Sequence, residues 1–509
     1  MIALLSLLSL VTTASDDVHY TDCSVRLEAE FLDARFLNVD ADPALELVLA
    51  LRRPNGDREL RIHELDARGA LEPEPRRIVP ILADVLAWTF CDLRAEPGAE
   101  LVFLTPKGAH TMSLSKKGLR GNLKRFAKVE LIFHIPDTHR LEYWPWFIDQ
   151  PGTDQLLLPT MQGMTLFTGP GEDGSPSFKR FGQEATLKGD DEEDNELEIS
   201  SGSVQFQFGE AAAEGYLLAE SDLPGPVFLS SYTDYDAPGM ADIDGDGIRD
   251  LLVLEKEELL IYASTSQKAE PRREKLPDYL TNPDRQIELS FHDIDGDGDA
   301  DLLGQTQSGE ESDFGNDDLD ILVLINDGGR LLPSKPSQVM RFSAAHVKLH
   351  IEDINADGQP DLFTESVSLP SMTALVTGLH FSMISELHLG QGQRGFERKP
   401  TLKEERVFDE DSLVDAIAIQ QLTFDCSGDG ICDSVAVDTS GRVTIRRLLL
   451  ESSFFSGDQW SFEETPWKRF ESRGSLLSLE VADWNGDGIG DILSYGEERL
   501  ALYLSRRSR

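Results

Sequence analysis

Positive charge is scarce in this chain. Forty-seven Lys and Arg face 92 Asp and Glu, giving a net charge of −45 over 509 residues. Such a surface repels nucleic-acid phosphates and anionic lipid headgroups, which disfavours both as partners. Long apolar runs are also missing. Beyond the N-terminal segment nothing reaches the ~18 continuous apolar residues that a membrane helix needs, so no integral membrane span is expected. The ten histidines are scattered and form no constellation, and neither H-E-x-x-H nor G-x-S-x-G occurs. Cysteine is limited to Cys23, Cys91, Cys426 and Cys432. An even number suits an oxidising compartment. Cys426 and Cys432 share one loop and are expected to bridge across it, leaving Cys23 and Cys91 as the other pair. Four buried free thiols are the alternative.

Residues 1–15, MIALLSLLSLVTTAS, read as a secretory signal. An apolar run over residues 2–11 precedes small residues, with Ala14 or Ser15 suited to cleavage, although no Lys or Arg comes before the run. A short buried N-terminal helix is the competing reading. Cys23 follows no lipoprotein-type cleavage motif. The expected location is secreted, cell-surface or periplasmic.

The chain is too long for one hydrophobic core, because beyond roughly 250–300 residues chains split or repeat a small unit. Repetition is what the sequence contains. DIDGDGIRDLLVL begins at Asp242, DIDGDGDADLL at Asp293, DINADGQPDLF at Asp353, DCSGDGICDSVAV at Asp425 and DWNGDGIGDIL at Asp483. Weaker copies begin at Asn38 (NVDADPALELVLAL) and Asp92 (DLRAEPGAELVFL), and a shortened one, IDQPGTDQLLLP, surrounds Asp149. An apolar run precedes each loop, as in QIELSFHD, and two follow it, as in DLLVL and DILVLIN. Such segments bounded by Gly, Asp and Asn read as strands and turns. Three or four of them per ~55 residues make a propeller blade, and a ring of blades buries faces that one blade cannot.

The expected fold class is therefore all-β, a β-propeller of about eight blades over residues 16–509. Seven blades result if the unit at Asp149 is only a connection. The last unit lacks an outer strand, which SVRLEAEF from Ser24 could supply. Residues 183–225, containing the charge run DDEEDNELE, break the rhythm and read as an acidic insertion on the rim. A second acidic insertion begins at Ser308. The run Tyr143-Trp144-Pro145-Trp146-Phe147 lies where an inner strand belongs, so it reads as packing between blades, with a carbohydrate-stacking ridge as the alternative. Trp484, inside the last loop, shields that site or packs on the next blade.

The loops carry the chemistry. Ca²⁺ takes six to eight oxygen ligands at about 2.3–2.6 Å. A nine-residue loop supplies side-chain oxygens from positions 1, 3, 5 and 9 and a carbonyl from position 7, with glycine at position 6 for the sharp turn. This assigns Asp242, Asp244, Asp246, Ile248 and Asp250, then Asp293, Asp295, Asp297, Asp299 and Asp301. It further assigns Asp353, Asn355, Asp357, Gln359 and Asp361, then Asp425, Ser427, Asp429, Ile431 and Asp433. The last set is Asp483, Asn485, Asp487, Ile489 and Asp491. About five Ca²⁺ sites are expected, tightest at Asp242 and Asp293. Isolated Asx-turns without metal fit one such loop but fit five copies poorly. The early loops have decayed. Pro43 takes the glycine position of the first. Arg94 replaces a ligand in the second, where its guanidinium is expected to pair with Asp92, Glu96 or Glu100. The Asp149 loop is too short. No metal is expected in these three.

These loops, with Gly-rich turns such as LGQGQRGF ending at Phe396, resemble the FG-GAP/VCBS repeat family, which includes the propeller of integrin α chains. The resemblance is specific from Asp242 onward and weak before it. It implies a propeller with metal-stabilised blades but transmits no ligand. The function expected is an exported, non-catalytic binding or scaffold module for an extracellular or periplasmic protein or glycan. The alternative is a polysaccharide-acting enzyme resembling the eight-bladed rhamnogalacturonan lyases, for which the lack of basic residues is unfavourable.

Overall fold

A computed structural model describes residues 18–181, 197–199 and 239–507, less the short stretches 41–43, 66–69, 73, 95–97, 114–122, 130, 132–140, 150–152, 161–162, 171–175, 256, 264–270, 282–284, 309–316, 329, 345, 369–379, 410–420, 438–441, 454–456, 471–477 and 496–498. The expected signal segment lies outside the described residues, as does nearly all of the 183–225 insertion.

The apolar run after each loop forms a strand that is buried along almost its whole length, as in Glu46–Arg52, Glu100–Thr105 and Gln155–Thr160. Side chains of a strand point alternately to both faces, so a fully buried strand needs a neighbour on each side. Adjacent sheets supply those neighbours. Farther out, Arg77–Ile81 alternates between buried and exposed.

The sheets are eight blades. Blade 1 runs Glu30–Leu37, Glu46–Arg52, Arg58–His63, Arg77–Ile81 from inside outward. Blade 2 contains Ala87–Cys91, Glu100–Thr105, Gly108–Ser113 and Lys124–Ala127, with Glu142–Tyr143 added in parallel beside the innermost strand. Blade 3 contains Phe147–Ile148, Gln155–Thr160, Gly163–Pro170 and Pro176–Phe181, so the short unit at Asp149 is a full blade. Blade 4 runs from Gly239–Ala241 to Arg272–Lys275, and blade 5 from Arg285–His292 to Gln338–Ala344 with Leu197–Ile199 in parallel beside it. Blade 6 runs from His346–Glu352 to Leu402–Asp409, and blade 7 from Gln421–Phe424 to Lys468–Phe470. Inside blade 7 a hairpin, Leu448–Ser453 with Gly457–Phe462, leaves between the third and fourth strands.

Blade 8 is made from both ends of the described chain. Ser478–Ala482, Asp491–Tyr495 and Arg499–Arg507 are its inner strands, and Val18–Asp22 is the outer one, paired from Val18↔Arg507 to Asp22↔Tyr503. The expected closing segment from Ser24 is thereby corrected. Of it only Val25–Arg26 pairs with blade 8, at Leu500 and Arg499, while Glu30 and Phe31 pair in blade 1, and the main closing strand is VHYTD, just upstream.

The apolar clusters lie between blades. One joins blade 8 to blade 1, with Leu493, Leu502 and Leu504 against Leu47, Leu49 and Leu51. Trp484 stacks on Phe36 of blade 1 at 4.4 Å. Trp144 and Trp146 are buried among blade 2 and blade 3 residues, and Trp144 Nε1 donates to Leu157 O at 2.9 Å. These two rings are packing elements. The expected Cys426–Cys432 bridge does not form. Cys426 joins the blade 7–8 cluster while Cys432 joins the blade 6–7 cluster, so their side chains leave the loop on opposite sides. Cys23 and Cys91 likewise fall in separate clusters and are not bonded. Among the described residues no helix is long and apolar enough to cross a membrane.

Ring closure has a polar clasp. Tyr20, on the closing strand, donates to Cys426 O at 2.9 Å and lies 2.8 Å from Gly490 O. Tyr20→Phe strands both carbonyls, so a loss of about 1–2 kcal/mol in unfolding free energy is expected from denaturant titration. An unchanged midpoint would show that the clasp contributes nothing.

Candidate metal sites

In every blade the loop joins the innermost strand to the second, so all eight lie at one end of the ring. The loops are numbered here by blade. Their backbone is organised by their own acids. In loops 4 to 8 the position-1 carboxylate (Asp242, Asp293, Asp353, Asp425, Asp483) accepts the N–H of the position-6 glycine at 2.7–3.1 Å. The position-5 carboxylate (Asp246, Asp297, Asp357, Asp429, Asp487) accepts the N–H of position 7, namely Ile248, Asp299, Gln359, Ile431 and Ile489. The position-9 carboxylate, fully buried or nearly so, folds back to accept the N–H of position 2. Each of these acids keeps a further oxygen or lone pair for another partner.

Two positions per loop need left-handed backbone. Position 6 is always glycine in loops 4 to 8, with φ from 80° to 96°. Position 4 has φ from 72° to 81° at Gly245, Gly296, Gly428 and Gly486, but loop 6 places Ala356 there at φ 58°.

The acids converge. Oxygens of Asp242, Asp244 and Asp246 lie within 4.8 Å of one another, and so do those of Asp293, Asp295 and Asp297. Oxygens on opposite sides of a Ca²⁺ ion lie about 4.6–5.2 Å apart, twice the bond length. The donor set therefore has the right size and hardness for such a cation. In loop 5 Asp295 Oδ2 and Asp299 Oδ1 are buried without a donor. The sequence assigned only the Asp299 carbonyl, whereas its carboxyl also lies among the acids of the loop. Burial, and then the neighbouring Asp297, pushes it up to about 7. Burial likewise raises Asp301 and Asp491 to about 7 and Asp361 to about 6, although backbone N–H groups favour their charged forms. Loop 7 differs. Ser427 is buried where loops 4 and 5 carry an acid, and the Arg447 guanidinium partly offsets the burial that raises Asp429. In loops 6 and 8, Asn355 and Asn485 turn Oδ1 to the N–H of Asp357 and Asp487.

Residues outside the motif complete the sites. The second oxygen of the position-9 acid is held from the end of the third strand. Asn326 N–H donates to Asp301 Oδ1 at 2.6 Å, Gly390 N–H to Asp361 Oδ1 at 2.8 Å and Ser505 N–H to Asp491 Oδ1 at 2.6 Å. Ser505 Oγ also contacts Asp487 Oδ1 at 3.2 Å and the Ile489 carbonyl at 3.3 Å. In blade 7 the chain turns out into its hairpin at this point, and Asp433 Oδ1 is buried without such a bond. No fixed sequence spacing links these donors to the loops, so the motif does not reveal them.

Two of the decayed loops, 1 and 2, keep the fold-back bond. Glu46 accepts the Val39 N–H at 2.9 Å and Glu100 the Leu93 N–H at 3.0 Å. In loop 1 the acids Asp40, Glu46 and Glu64 converge. Arg76 pairs with Glu64 and lies 3.7 Å from Asp40. Positive charge from the chain thus enters loop 1. In loop 2 the Arg94 guanidinium turns away and donates to Thr111 Oγ1 at 2.8 Å, while Glu96 lies outside the described residues. Loop 3 ties to loop 2: Asp154 N–H donates to Asp92 O at 2.6 Å, and Asp92 N–H to Asp154 Oδ2 at 2.7 Å.

Residues 242–304, which contain loops 4 and 5, match the family model described as FG-GAP-like repeat. No curated protein matches the chain.

A left-handed alanine costs about 1–2 kcal/mol that a glycine avoids, against the greater freedom glycine has when unfolded. Ala356→Gly is therefore expected to raise stability, by up to about 1 kcal/mol, in a thermal or denaturant melt. A clear loss would mean that loop 6 is not strained there.

Proposed function

We propose, from the FG-GAP-like repeat that the chain carries, that it is an exported Ca²⁺-stabilised propeller. It acts as a non-catalytic binding or scaffold module for a protein or glycan. One observation carries the structural role of the ion. The acids that would bind it are the same acids whose carboxylate oxygens fix the loop backbone at the blade seams. A cation there neutralises crowded carboxylates and stiffens the end of the ring. Loops 4 to 8 would hold it through Asp242, Asp293, Asp353, Asp425, Asp483 and their partners in each motif. About five ions would offset ten of the 45 excess negative charges. The surface stays acidic, which favours neutral or cationic partners over polyanions.

A ligand at 100 times its dissociation constant stabilises the folded state by about 2.7 kcal/mol per site. Chelation should lower the melting temperature and added Ca²⁺ should restore it. Asp246→Ala should lower the number of bound ions without abolishing the fold. Protons compete for the same oxygens. Because Asp301, Asp361 and Asp491 titrate near 6 to 7 in the metal-free fold, raising the pH through that range frees them for the cation. The gap in melting temperature between calcium-loaded and metal-free protein should widen from about pH 5 to pH 8. An identical melt with and without Ca²⁺ refutes the metal reading.

The recognition role is tested by glycan arrays and pull-downs from extracellular extracts with calcium-loaded protein. Selective binding without turnover is expected. Cleavage of a bound oligosaccharide would make the protein an enzyme instead.

A further inference from the structure

Neighbouring loops are bonded to each other, and the pattern of those bonds is uneven. The residue at position 8 of a loop donates its N–H to the first or second carbonyl of the preceding loop. Ala300 donates to Asp242 O at 2.6 Å, joining loops 4 and 5. Cys432 donates to Ile354 O at 2.9 Å, joining loops 6 and 7, and Gly490 to Asp425 O at 2.8 Å, joining loops 7 and 8. Between loops 5 and 6 the position-8 residue is Pro360. Proline has no N–H, so this seam cannot make the bond.

Three of these loop pairs carry further ties, among them Cys432 Sγ, 3.8 Å from Asp353 O in loops 6 and 7; across blades 5 and 6 the tie is between Gln338 and Phe396, which lie outside the nine-residue loops. Asn326 is 1% exposed. Its backbone N–H holds Asp301 Oδ1 of loop 5 at 2.6 Å, while its side-chain amide donates to Ile243 O of loop 4 at 2.9 Å and to Ala300 O at 3.2 Å. One residue thus grips the closing acid of one loop and the backbone of the other. At the seam of loops 7 and 8, the Tyr20 hydroxyl contacts a carbonyl from each loop. Loop 7 approaches so closely that a Cβ on Gly490 would lie 2.7 Å from Cys426 Sγ.

We propose that cation binding is coupled within two groups, loops 4–5 and loops 6–7–8, with Pro360 as the break between them. This rests on the metal reading given above. A loop that closes around an ion fixes its own first two carbonyls. That fixes the position-8 N–H of its neighbour, one residue before the neighbour's closing acid. The second ion then meets a loop already partly ordered and loses less conformational freedom on binding. The coupling is reciprocal: each site in a group raises the affinity of the other by the same factor. Asn326 is the positioning residue of the first group.

Hydrogen exchange read by mass spectrometry on the full chain resolves each loop, and Ca²⁺ is the probe. In wild-type protein every loop from 4 to 8 should gain protection with its own Ca²⁺ midpoint. Asp246→Ala should abolish the response of loop 4 and raise the midpoint of loop 5 by a factor within the usual range of about 5 to 150. Loops 6 to 8 should stay within about twofold, less than the smallest usual coupling. Asp487→Ala in loop 8 should raise the midpoints of loops 7 and 6 and spare loops 4 and 5. Should an alanine variant not fold, Asp246→Asn or Asp487→Asn keeps an oxygen for the position-7 N–H while removing the charge. Asn326→Ala should shrink the effect of Asp246→Ala on loop 5, a change that a merely stabilising role would not produce. Variants that alter only their own loop, or that shift all five loops together, overturn the grouping while leaving the metal reading intact. Wild-type protein whose loops gain no protection with Ca²⁺ overturns both.

Discussion

The architecture hangs on one hydrogen bond repeated around the ring. An acid at the start of the second strand turns back and accepts the N–H of the second residue of its own loop. Glu46, Glu100, Asp250, Asp301, Asp361, Asp433 and Asp491 all do this. The bond closes the turn that reverses the chain from the innermost strand into the strand buried between blades. A buried carboxylate without such donors would be costly. With them it anchors the corner from which seven of the blades grow, while in blade 3 Asp154 accepts the Asp92 N–H of blade 2 instead.

That bond separates two kinds of acid which the sequence presents as one motif. The closing acid survives in loops that have lost the rest of the pattern, so its presence reports the fold. The acids at positions 1, 3 and 5 thin out toward the N-terminus, whereas the closing acid, which the cation reading shares with them, is kept. At Asp40 and Glu64 the chain brings Arg76 close, and at Asp92 it brings a backbone bond from the neighbouring blade. Counting Asp residues alone would have merged these roles.

Much of the fold was legible because a repeat announces itself. The five strong loops gave the clock, and the unbroken apolar runs after them gave the buried strands. Blade 3 was doubtful in sequence because its loop is cut to the stretch from Asp149 to Asp154, yet its strands pair fully. The closing strand was placed a few residues late, since VHYTD and SVRLE have similar strand character and only the register with Arg499–Arg507 separates them. The disulfide failed for a geometric reason. Positions 2 and 8 of a loop face opposite neighbouring blades, so proximity in sequence puts Cys426 and Cys432 in different cores. Asn326, Gly390, Ser505 and Tyr20 were invisible because they reach the loops from distant strands at irregular spacing.

The two halves of the ring solve the same electrostatic problem differently. Wherever a corner gathers carboxylates, something positive must answer them or their charge opposes the fold. In loop 1 the answer is covalently attached, since Arg76 pairs with Glu64, lies 3.7 Å from Asp40 and cannot diffuse away. Among the described residues no arginine pairs with the three converging acids of loops 4 and 5, although Arg272 favours the charged form of Asp244, and on the cation reading the answer comes from solution. On that reading the stability of blades 4 and 5 varies with the medium, while loop 1 carries positive charge of its own. The closing strand lies beside the first half in sequence but clasps loops 7 and 8 through Tyr20. Ring closure therefore ties the N-terminal end of the described chain to the corner that loops 7 and 8 form. A weakening of loops 7 and 8 is felt first at the seam that holds the propeller shut.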